Sequence, residues 1–206
     1  MSLFVAYFGT ARRYPDVVHH TILLGPRYRE LLDDIFRRRV LADDFSLYLH
    51  RPTATDAQLA PPGHDCWYVL SPVPHLGGGG DAPPVDWAVE GERYRDRLLA
   101  HLEKTLLPGL GASIDSLSFI TPATFERELL SVHGSAFSFE PVLTQSAWFR
   151  PHNRAEDVDN LYLVGAGTHP GAGMPGVLCS ARVVDRLIPR LDGDGGRDPI
   201  AGTHAG

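Results

Sequence analysis

Hydrophobic positions along the chain fall into short runs that predict strands. A continuous apolar run covers residues 3–8, and apolar and polar positions alternate over residues 45–50. The first pattern is typical of a strand covered on both faces, and the second of a strand with one buried face. Residues 66–70, which include aromatic and β-branched side chains, and the segments 19–24 and 114–120 predict three more strands.

Helices are predicted where apolar residues recur every three or four positions. One helix follows Pro26, a second covers residues 92–107, and a third opens with Thr121 as its N-cap, followed by a proline. Several strands and three or four helices without strict alternation predict a mixed α/β (α+β) fold.

The stretch from Asn160 to Ile188 combines an apolar run, a glycine-rich turn and a predicted helix. Residues 161–164 are apolar and predict a short buried strand, and a turn with five glycines follows. Pro175 then suits the first position of a helix, whose predicted apolar stripe contains Val177, Ala181, Val184 and Ile188. In such a strand, turn and helix, the turn amides and the positive helix end face one spot, which suits an anion or a ligand carbonyl.

This stretch does not have the context of a usual dinucleotide-binding fingerprint. That fingerprint needs a βαβ unit after the glycines and an acidic residue about 20 positions further on. Here Pro189 ends the helix and a Gly/Asp-rich segment follows it. An independent NAD-binding module is therefore disfavoured, and the pattern fits the closing half of a Rossmann-like domain.

Residues 160–180, which read NLYLVGAGTHPGAGMPGVLCS, resemble the C-terminal signature of the bacterial and fungal phytoene desaturases. The stretches HHTILLGPRYRELLDDIF and HGSAFSFEPVLTQSAWFRPHNR also resemble this family, in the same order. The resemblance extends over nearly the whole chain, from residue 2 to residue 188. Family members are longer and open with a flavin-binding βαβ fingerprint, so we expect a C-terminal portion whose N-terminal FAD-binding region is missing.

The resemblance implies a Rossmann-like FAD domain interleaved with a sheet-and-helix substrate domain. On that basis residues 1–147 are expected to be mostly substrate-binding, and residues 148–190 to supply the last strand, loop and helix of the FAD domain. Residues 191–206 are rich in Gly and Asp and are predicted to form a disordered tail.

The activity implied by the resemblance is the FAD-dependent desaturation of a C40 polyene such as phytoene, in carotenoid biosynthesis. A carotenoid isomerase or a desaturase of another polyene remains open as an alternative, and so does a non-catalytic fragment. The substrate of such an enzyme has almost no polar handle, so an apolar tunnel is expected. The sequence assigns no catalytic residues, in agreement with the lack of any triad motif.

The predicted cofactor site is the glycine-rich loop and the helix start that follows it. The ribityl or pyrophosphate part of FAD is expected at the first turn of the loop, and the polar edge of the isoalloxazine at the start of the helix. The candidate cofactor-binding residues are Gly165, Ala166, Gly167, Thr168, Gly171, Gly173, Met174, Pro175, Gly176 and Val177.

Most of the other candidates in this part of the chain carry two interpretations. His169 is a catalytic candidate or a residue that hydrogen-bonds within the turn. The basic segment with Arg150, His152 and Arg154 meets phosphate or a membrane, or forms a solvated loop. Cys179 is predicted to be a small buried residue. Four aromatic residues line a polyene tunnel or form core: Phe137, Phe139, Trp148 and Phe149.

Two features nearer the start of the chain are given structural interpretations. His19 and His20 suggest a metal pair or a proton relay, but adjacent strand residues point to opposite faces. The sequence therefore predicts no metal site. The run Gly77–Gly80 is predicted to be a surface loop, because no helix follows it directly and no phosphate-binding Lys-Ser/Thr pair is present.

Composition limits the remaining function classes. The net charge of −6 argues against broad nucleic-acid binding. The two distant cysteines predict no disulfide framework and favour a reducing compartment. No apolar run of the sequence approaches the roughly 20 residues that span a bilayer. The family resemblance implies a cytoplasmic protein associated peripherally with the membrane, where its hydrocarbon substrate resides.

Overall fold

The computed structural model describes residues 1–77, 83–139 and 142–189. The predicted tail at 191–206 and positions 78–80 of the glycine run lie outside these ranges. The chain divides into two compact units, Met1–Ser138 and Phe139–Gly206. The assignment of substrate and FAD-binding roles to the two parts of the chain stays a prediction.

A five-stranded antiparallel sheet forms the centre of the first unit. Its strands, in chain order, are β1 (Ser2–Thr10), β2 (His20–Leu23), β3 (Leu47–His50), β4 (Asp65–Val73) and β5 (Ile114–Ile120). The order across the sheet is β2-β3-β4-β1-β5. All five predicted strands of this unit are confirmed, with boundaries that differ by a few residues.

Helices connect and cover these strands. The helices of the first unit are α1 (Tyr28–Asp33), which continues as a wider π turn over Asp34–Arg38, then α2 (Trp87–Thr105), α3 (Leu110–Ser113) and α4 (Pro122–Leu129). The predicted cap of α4 is confirmed, because Thr121 and Thr124 form a reciprocal capping box. The combination of helices with an antiparallel sheet confirms the mixed α/β class.

The core lies between one face of the sheet and α2. Phe4 stacks on Trp87 and meets Tyr94 edge to face, at ring distances of 5.9 and 5.0 Å. Leu98 and Leu102 on the same helix face are fully buried. These apolar contacts belong to the hydrophobic core that stabilises the first unit.

Helix α2 starts five residues earlier than the periodicity predicts. The Asp86 side chain caps it by accepting a hydrogen bond from the N–H of Ala88 at 3.0 Å. Gly91 obscures this first turn in the sequence, since glycine weakens a helix. The structure explains the glycine, because an added Cβ would lie 3.0 Å from the Phe119 ring on β5.

The second unit contains α5 (Met174–Leu187) and the segments that lead to it. The predicted helix is confirmed, but the predicted buried strand at 161–164 is wrong. Only an isolated antiparallel bridge between Arg154 and Tyr162 forms there, and Leu161 and Val164 are 42% and 57% exposed. A strand needs a neighbouring strand along its length, and within the described residues this segment has a single bridge.

Candidate functional site

The glycine-rich loop runs directly into the first turn of α5, as the sequence predicts. Gly173 is the N-cap residue of the helix, and Pro175 occupies its first turn. Gly165, Gly171 and Gly173 have positive φ values of 121°, 138° and 91°. Only glycine adopts such backbone conformations at low cost, so the loop path depends on these three residues.

One side of the loop is open at the backbone. A Cβ atom built on Gly165 or on Gly173 would lie within 4 Å of no atom of the described residues, apart from the glycine itself and its two chain neighbours. A bound molecule can therefore approach the main chain closely at both positions. The first turn of a helix also has N–H groups without intrahelical acceptors, and it carries a partial positive charge.

Gly176 has a different role from these two glycines. A Cβ atom at this position would lie 2.5 Å from the carbonyl oxygen of Gly171. The glycine therefore lets the first turn of α5 pack directly against the backbone of the loop. The second backbone contact here is the hydrogen bond from the N–H of Val177 to the carbonyl of Gly173, at 2.9 Å.

A buried hydrogen-bond network below the loop fixes its shape. The Ser180 hydroxyl is fully buried, accepts from the N–H of Gly165 at 3.1 Å and lies 2.8 Å from the Thr168 hydroxyl. The Asn153 amide nitrogen donates to Ser180 Oγ at 2.8 Å and to the Leu163 carbonyl at 3.0 Å. The start of the loop is thus tied to α5 and to residue 153 through side-chain contacts.

Sequence reasoning missed Asn153 and Ser180. Both are small polar residues, and their only signal is their position beside the loop, one before it and one on the following helix. Within the candidate set, the structure brings Gly165 and Thr168 together around Ser180. Gly171, Gly173 and Gly176 meet at the start of α5, and the side chain of Met174 is exposed there.

Arg150 belongs to the same assembly. It is only 7% exposed, and it donates a hydrogen bond to the Ala166 carbonyl at 2.5 Å. Its side chain also lies against Gly171, with Nε 3.3 Å from the position of a Cβ there. For Arg150 the prediction of a solvated basic loop is wrong, whereas His152 and Arg154 are exposed.

His169, within the loop, contacts the segment that precedes the loop. Its N–H donates to the Pro151 carbonyl at 3.0 Å, and its ring lies edge to face with Trp148 at 6.1 Å. This hydrogen bond is made by the main chain and reaches a residue outside the loop, so the interpretation of His169 as a residue that hydrogen-bonds within the turn stays a prediction. The catalytic interpretation of His169 stays a prediction.

Three of the four aromatic candidates lie in the second unit and are exposed. Phe139, Trp148 and Phe149 are 40%, 69% and 60% exposed, and they line an open recess of about 470 Å³. Core packing is therefore wrong for these three rings. Phe137, in the first unit, is 47% exposed. Cys179 is exposed as well, so its prediction as a buried residue is wrong.

The two adjacent histidines do not point apart. Strand β2 begins at His20, so His19 precedes the strand and does not follow its alternation. The two rings lie 4.3 Å apart, and both approach His50 on β3. The expectation that these histidines cannot share one site is wrong for this reason.

Comparison with known proteins identifies the family of this chain. The family model described as flavin containing amine oxidoreductase matches residues 12–185. The chain therefore belongs to the flavin-containing amine oxidoreductase family.

Within that family the chain is similar to phytoene desaturases. It is 57% identical over 188 residues to the lycopene-forming phytoene desaturase of a Paracoccus species. It is 53% identical over 192 residues to the neurosporene-forming enzyme of Rhodobacter capsulatus, and 41% identical over 189 residues to the zeta-carotene-forming enzyme of Myxococcus xanthus. These matches cover 91%, 92% and 91% of this chain, but only 37%, 36% and 35% of the relatives.

Family membership implies FAD as the cofactor, and the loop fits that group. The main chain is open at Gly165 and Gly173, which leaves room for close contact with a ligand. No acidic residue occurs in the loop sequence GAGTHPGAGMPGV, so no carboxylate of the loop opposes an anionic group. The first turn of α5 adds a favourable partial charge.

Proposed function

We propose that the protein containing this chain is an FAD-dependent carotenoid desaturase of the phytoene desaturase type. Its substrate is a hydrophobic polyene such as phytoene. The single observation that carries the proposal is the 57% identity to a phytoene desaturase over 91% of the chain. The glycine-rich loop, open at Gly165 and Gly173, supports it independently.

The residues of this chain position and polarise the cofactor site. Arg150, Asn153 and Ser180 hold the loop from below through the hydrogen bonds to Ala166, Leu163 and Gly165. The open backbone at Gly165 and Gly173 would hold FAD, and the start of α5 favours negative charge at that position. When bound, FAD supplies the electron acceptor for removing two hydrogens from adjacent carbon atoms.

Substrate recognition in such an enzyme depends on apolar surface. The exposed rings of Phe139, Trp148 and Phe149 line the recess of about 470 Å³, and we propose that they contact the polyene. Aromatic rings offer large apolar area with few side-chain torsions to fix, which suits a long hydrocarbon. The similar enzymes form lycopene, neurosporene and zeta-carotene, so these relatives differ in their products.

A chimeric enzyme tests the proposal. In the Paracoccus desaturase, the segment that this chain matches is replaced by the chain, and the chimera is expressed in cells that accumulate phytoene. We expect the extracted carotenes to contain more conjugated double bonds than phytoene, as detected by chromatography. A chimera that folds and retains FAD but leaves phytoene unchanged would contradict the proposal.

A pair of glycine variants of the chimera tests the cofactor assignment. Gly173→Val is expected to abolish FAD retention, read from the visible absorption of the purified protein. Gly63→Val is the matched control, since Gly63 also has a positive φ, of 84°, and open space around it. Equal FAD content in the two variants would show that the loop is not the cofactor site.

We also propose that the protein is cytoplasmic and contacts membranes peripherally. Both cysteines are free thiols, which is common in reducing compartments. No helix in the described part of the chain is long and apolar enough to cross a membrane. Leu129, Leu130 and Val132 form an exposed apolar group at the end of α4, with 66%, 85% and 75% exposure, which supports contact with a lipid surface.

Vesicle sedimentation tests the membrane proposal. The chain is expected to sediment with phosphatidylglycerol vesicles, and Leu130→Glu is expected to weaken this binding. Leu59→Glu is the control, because Leu59 is also exposed, at 55%, and lies in another loop. If Leu130→Glu sediments as well as the parent chain, this group of residues is not the contact.

A further inference from the structure

We propose that His19, His20 and His50 form a binding site for a divalent transition-metal ion. All three belong to the first unit, far in sequence from the glycine-rich loop. One ring nitrogen from each residue lies within 4.8 Å of the others. The proposal is independent of the proposed desaturase function.

The sheet brings two of the three rings together. His20 opens β2 and His50 closes β3, and the two residues are direct partners in the antiparallel register. Their side chains therefore project from the same face of the sheet. This face is opposite to the core, which contains the alternate positions Leu47 and Leu49.

His19 joins them from just outside the strand. Its Nε2 lies 2.7 Å from the Nε2 of His50. Its carbonyl accepts a hydrogen bond from the N–H of Arg51 at 2.8 Å, which continues the β2–β3 pairing by one step. Two ring nitrogens that face each other at this distance share a proton in a hydrogen bond, and a metal ion bound by both would displace that proton.

In two of the rings, the Nδ1 atom forms a hydrogen bond of the kind that orients metal-binding histidines. The Nδ1 atom of His19 lies 2.5 Å from the Thr55 hydroxyl, and the Nδ1 atom of His20 lies 2.6 Å from the Tyr48 hydroxyl. Such contacts set the tautomer and leave Nε2 to face a metal ion. The Nδ1 atom of His50 is buried and has no hydrogen-bond partner among the described residues, so no such contact fixes its tautomer.

The donor set selects the class of ion. Three imidazoles suit zinc, copper and nickel ions, whereas magnesium and calcium prefer oxygen ligands. Ligand nitrogens on a tetrahedral zinc ion are about 3.3 Å apart, since each Zn–N bond is about 2.0–2.1 Å. The Nε2 atoms of His19 and His50, which are 2.7 Å apart, must therefore separate by about 0.6 Å to bind zinc together.

Exposure and coordination number leave the site accessible. His20 is exposed, and His19 and His50 are half-buried, so an ion can enter from solvent. Three protein ligands leave one tetrahedral position for water or another small ligand. Burial, followed by the charges of His19 and His20, lowers the pKa of His50.

Zinc titration of the 206-residue chain tests the proposal. The chain is prepared without a histidine tag and stripped with EDTA before calorimetry. We expect one Zn²⁺ ion per chain and no comparable uptake of Mg²⁺. With Co²⁺ as the probe, we expect the intense visible bands of a four-coordinate site. A chain that takes up no Zn²⁺ at stoichiometric level contradicts the proposal and leaves a hydrogen-bonded histidine cluster.

Single variants assign the ligands. His20→Gln and His50→Gln are each expected to weaken Zn²⁺ binding at least about tenfold. His64→Gln is the matched control, because His64 is half-buried on another loop, with Nε2 3.5 Å from Asp115. His20 is exposed on an edge strand, so its variant decides the question if His50→Gln does not fold. Unchanged affinity in His20→Gln contradicts the proposal.

Discussion

At the scale of single residues, the clearest constraint in the second unit is the contact between Gly176 and Gly171. A methyl group on residue 176 would overlap the Gly171 carbonyl oxygen, at 2.5 Å. The obstacle is backbone, which cannot rotate away as a side chain can. We predict that Gly176→Ala destabilises the start of α5 by about 1–3 kcal/mol, the usual cost of overpacking.

Hydrogen exchange of the α5 amides measures this effect. Gly111→Ala is the control, since an added Cβ there would meet only the carboxylate end of Glu103, at 3.3 Å. That side chain can move, and alanine favours a helix more than glycine does. Protection of α5 that is equal in Gly176→Ala and in the parent chain would contradict the packing argument.

The sequence predicts the loop but not the role of each residue in it. Glycine spacing marks the turn, and Pro175 marks the first turn of the helix. Spacing cannot separate Gly173, which faces open space, from Gly176, which packs on backbone. Asn153 and Ser180 meet across 27 positions. Their hydrogen bond follows no periodic pattern, so periodicity gives no signal for it.

At the scale of elements, a buried acidic residue links the start of β4 to two loops. Asp65 is 1% exposed and accepts hydrogen bonds from the Tyr14 N–H at 2.8 Å and from the Thr53 hydroxyl at 2.7 Å. Arg51 donates to the same carboxylate at 3.2 Å and to the Tyr14 carbonyl at 2.6 Å. The carboxylate thus holds together segments far apart in sequence.

We predict that Asp65→Asn destabilises the first unit by about 3–5 kcal/mol, because it leaves the buried Arg51 charge without its counter-ion. Urea unfolding measures the loss. The double variant Asp65→Asn with Arg51→Met is expected to recover part of it. Asp33→Asn is the control, since the Asp33–Arg37 pair is exposed, and a change of less than about 1 kcal/mol is expected.

Tyr94 on α2 makes stability depend on pH in the alkaline range. Burial raises the pKa of Tyr94 from 10.0 to about 12, although the hydrogen bond with Ser71 and the Arg97 charge act in the opposite direction. The folded state therefore favours the neutral phenol. This contribution is fully present below the unfolded pKa of about 10 and is lost as the pH rises toward 12.

Urea unfolding measured at pH values below and above the ordinary tyrosine pKa of about 10 tests this expectation. Stability should fall less steeply with pH in Tyr94→Phe than in the parent chain. Part of the slope should remain, because burial also raises the pKa of Tyr68 to about 12. Tyr28→Phe, at an exposed position, is the control. An unchanged slope in Tyr94→Phe would contradict the assignment.

A helix or strand is predicted well where the local sequence pattern is sufficient to indicate it. The alternation over residues 45–50 and the cap at Thr121 correctly indicate β3 and α4. The segment 161–164 carries the apolar signal of a strand, but pairing depends on a neighbour that local sequence does not specify. The contact between His19 and His50 is missed for the same reason. It depends on the pairing of β2 with β3, which brings together residues 31 positions apart and is not specified by the local sequence.

At the scale of the whole molecule, the two candidate sites belong to different compact units. The histidine cluster lies in Met1–Ser138, and the glycine-rich loop lies in Phe139–Gly206. A ligand that binds only the folded structure stabilises it by an amount that grows with the logarithm of the ligand concentration divided by its Kd. A zinc ion held by both β2 and β3 should therefore slow the local opening of this pair of strands.

We predict that Zn²⁺ slows hydrogen exchange at β2 and β3 while the amides of α5 exchange at an unchanged rate. Among the described residues, β2 is an edge strand of the sheet with β3 as its one partner, so its opening is expected to respond most strongly. Mass spectrometry of the chain with and without Zn²⁺ measures both regions in one experiment. His20→Gln should remove the protection, and His64→Gln should keep it. Equal slowing at β2 and α5 would indicate a general effect of the ion and contradict binding at the histidine cluster.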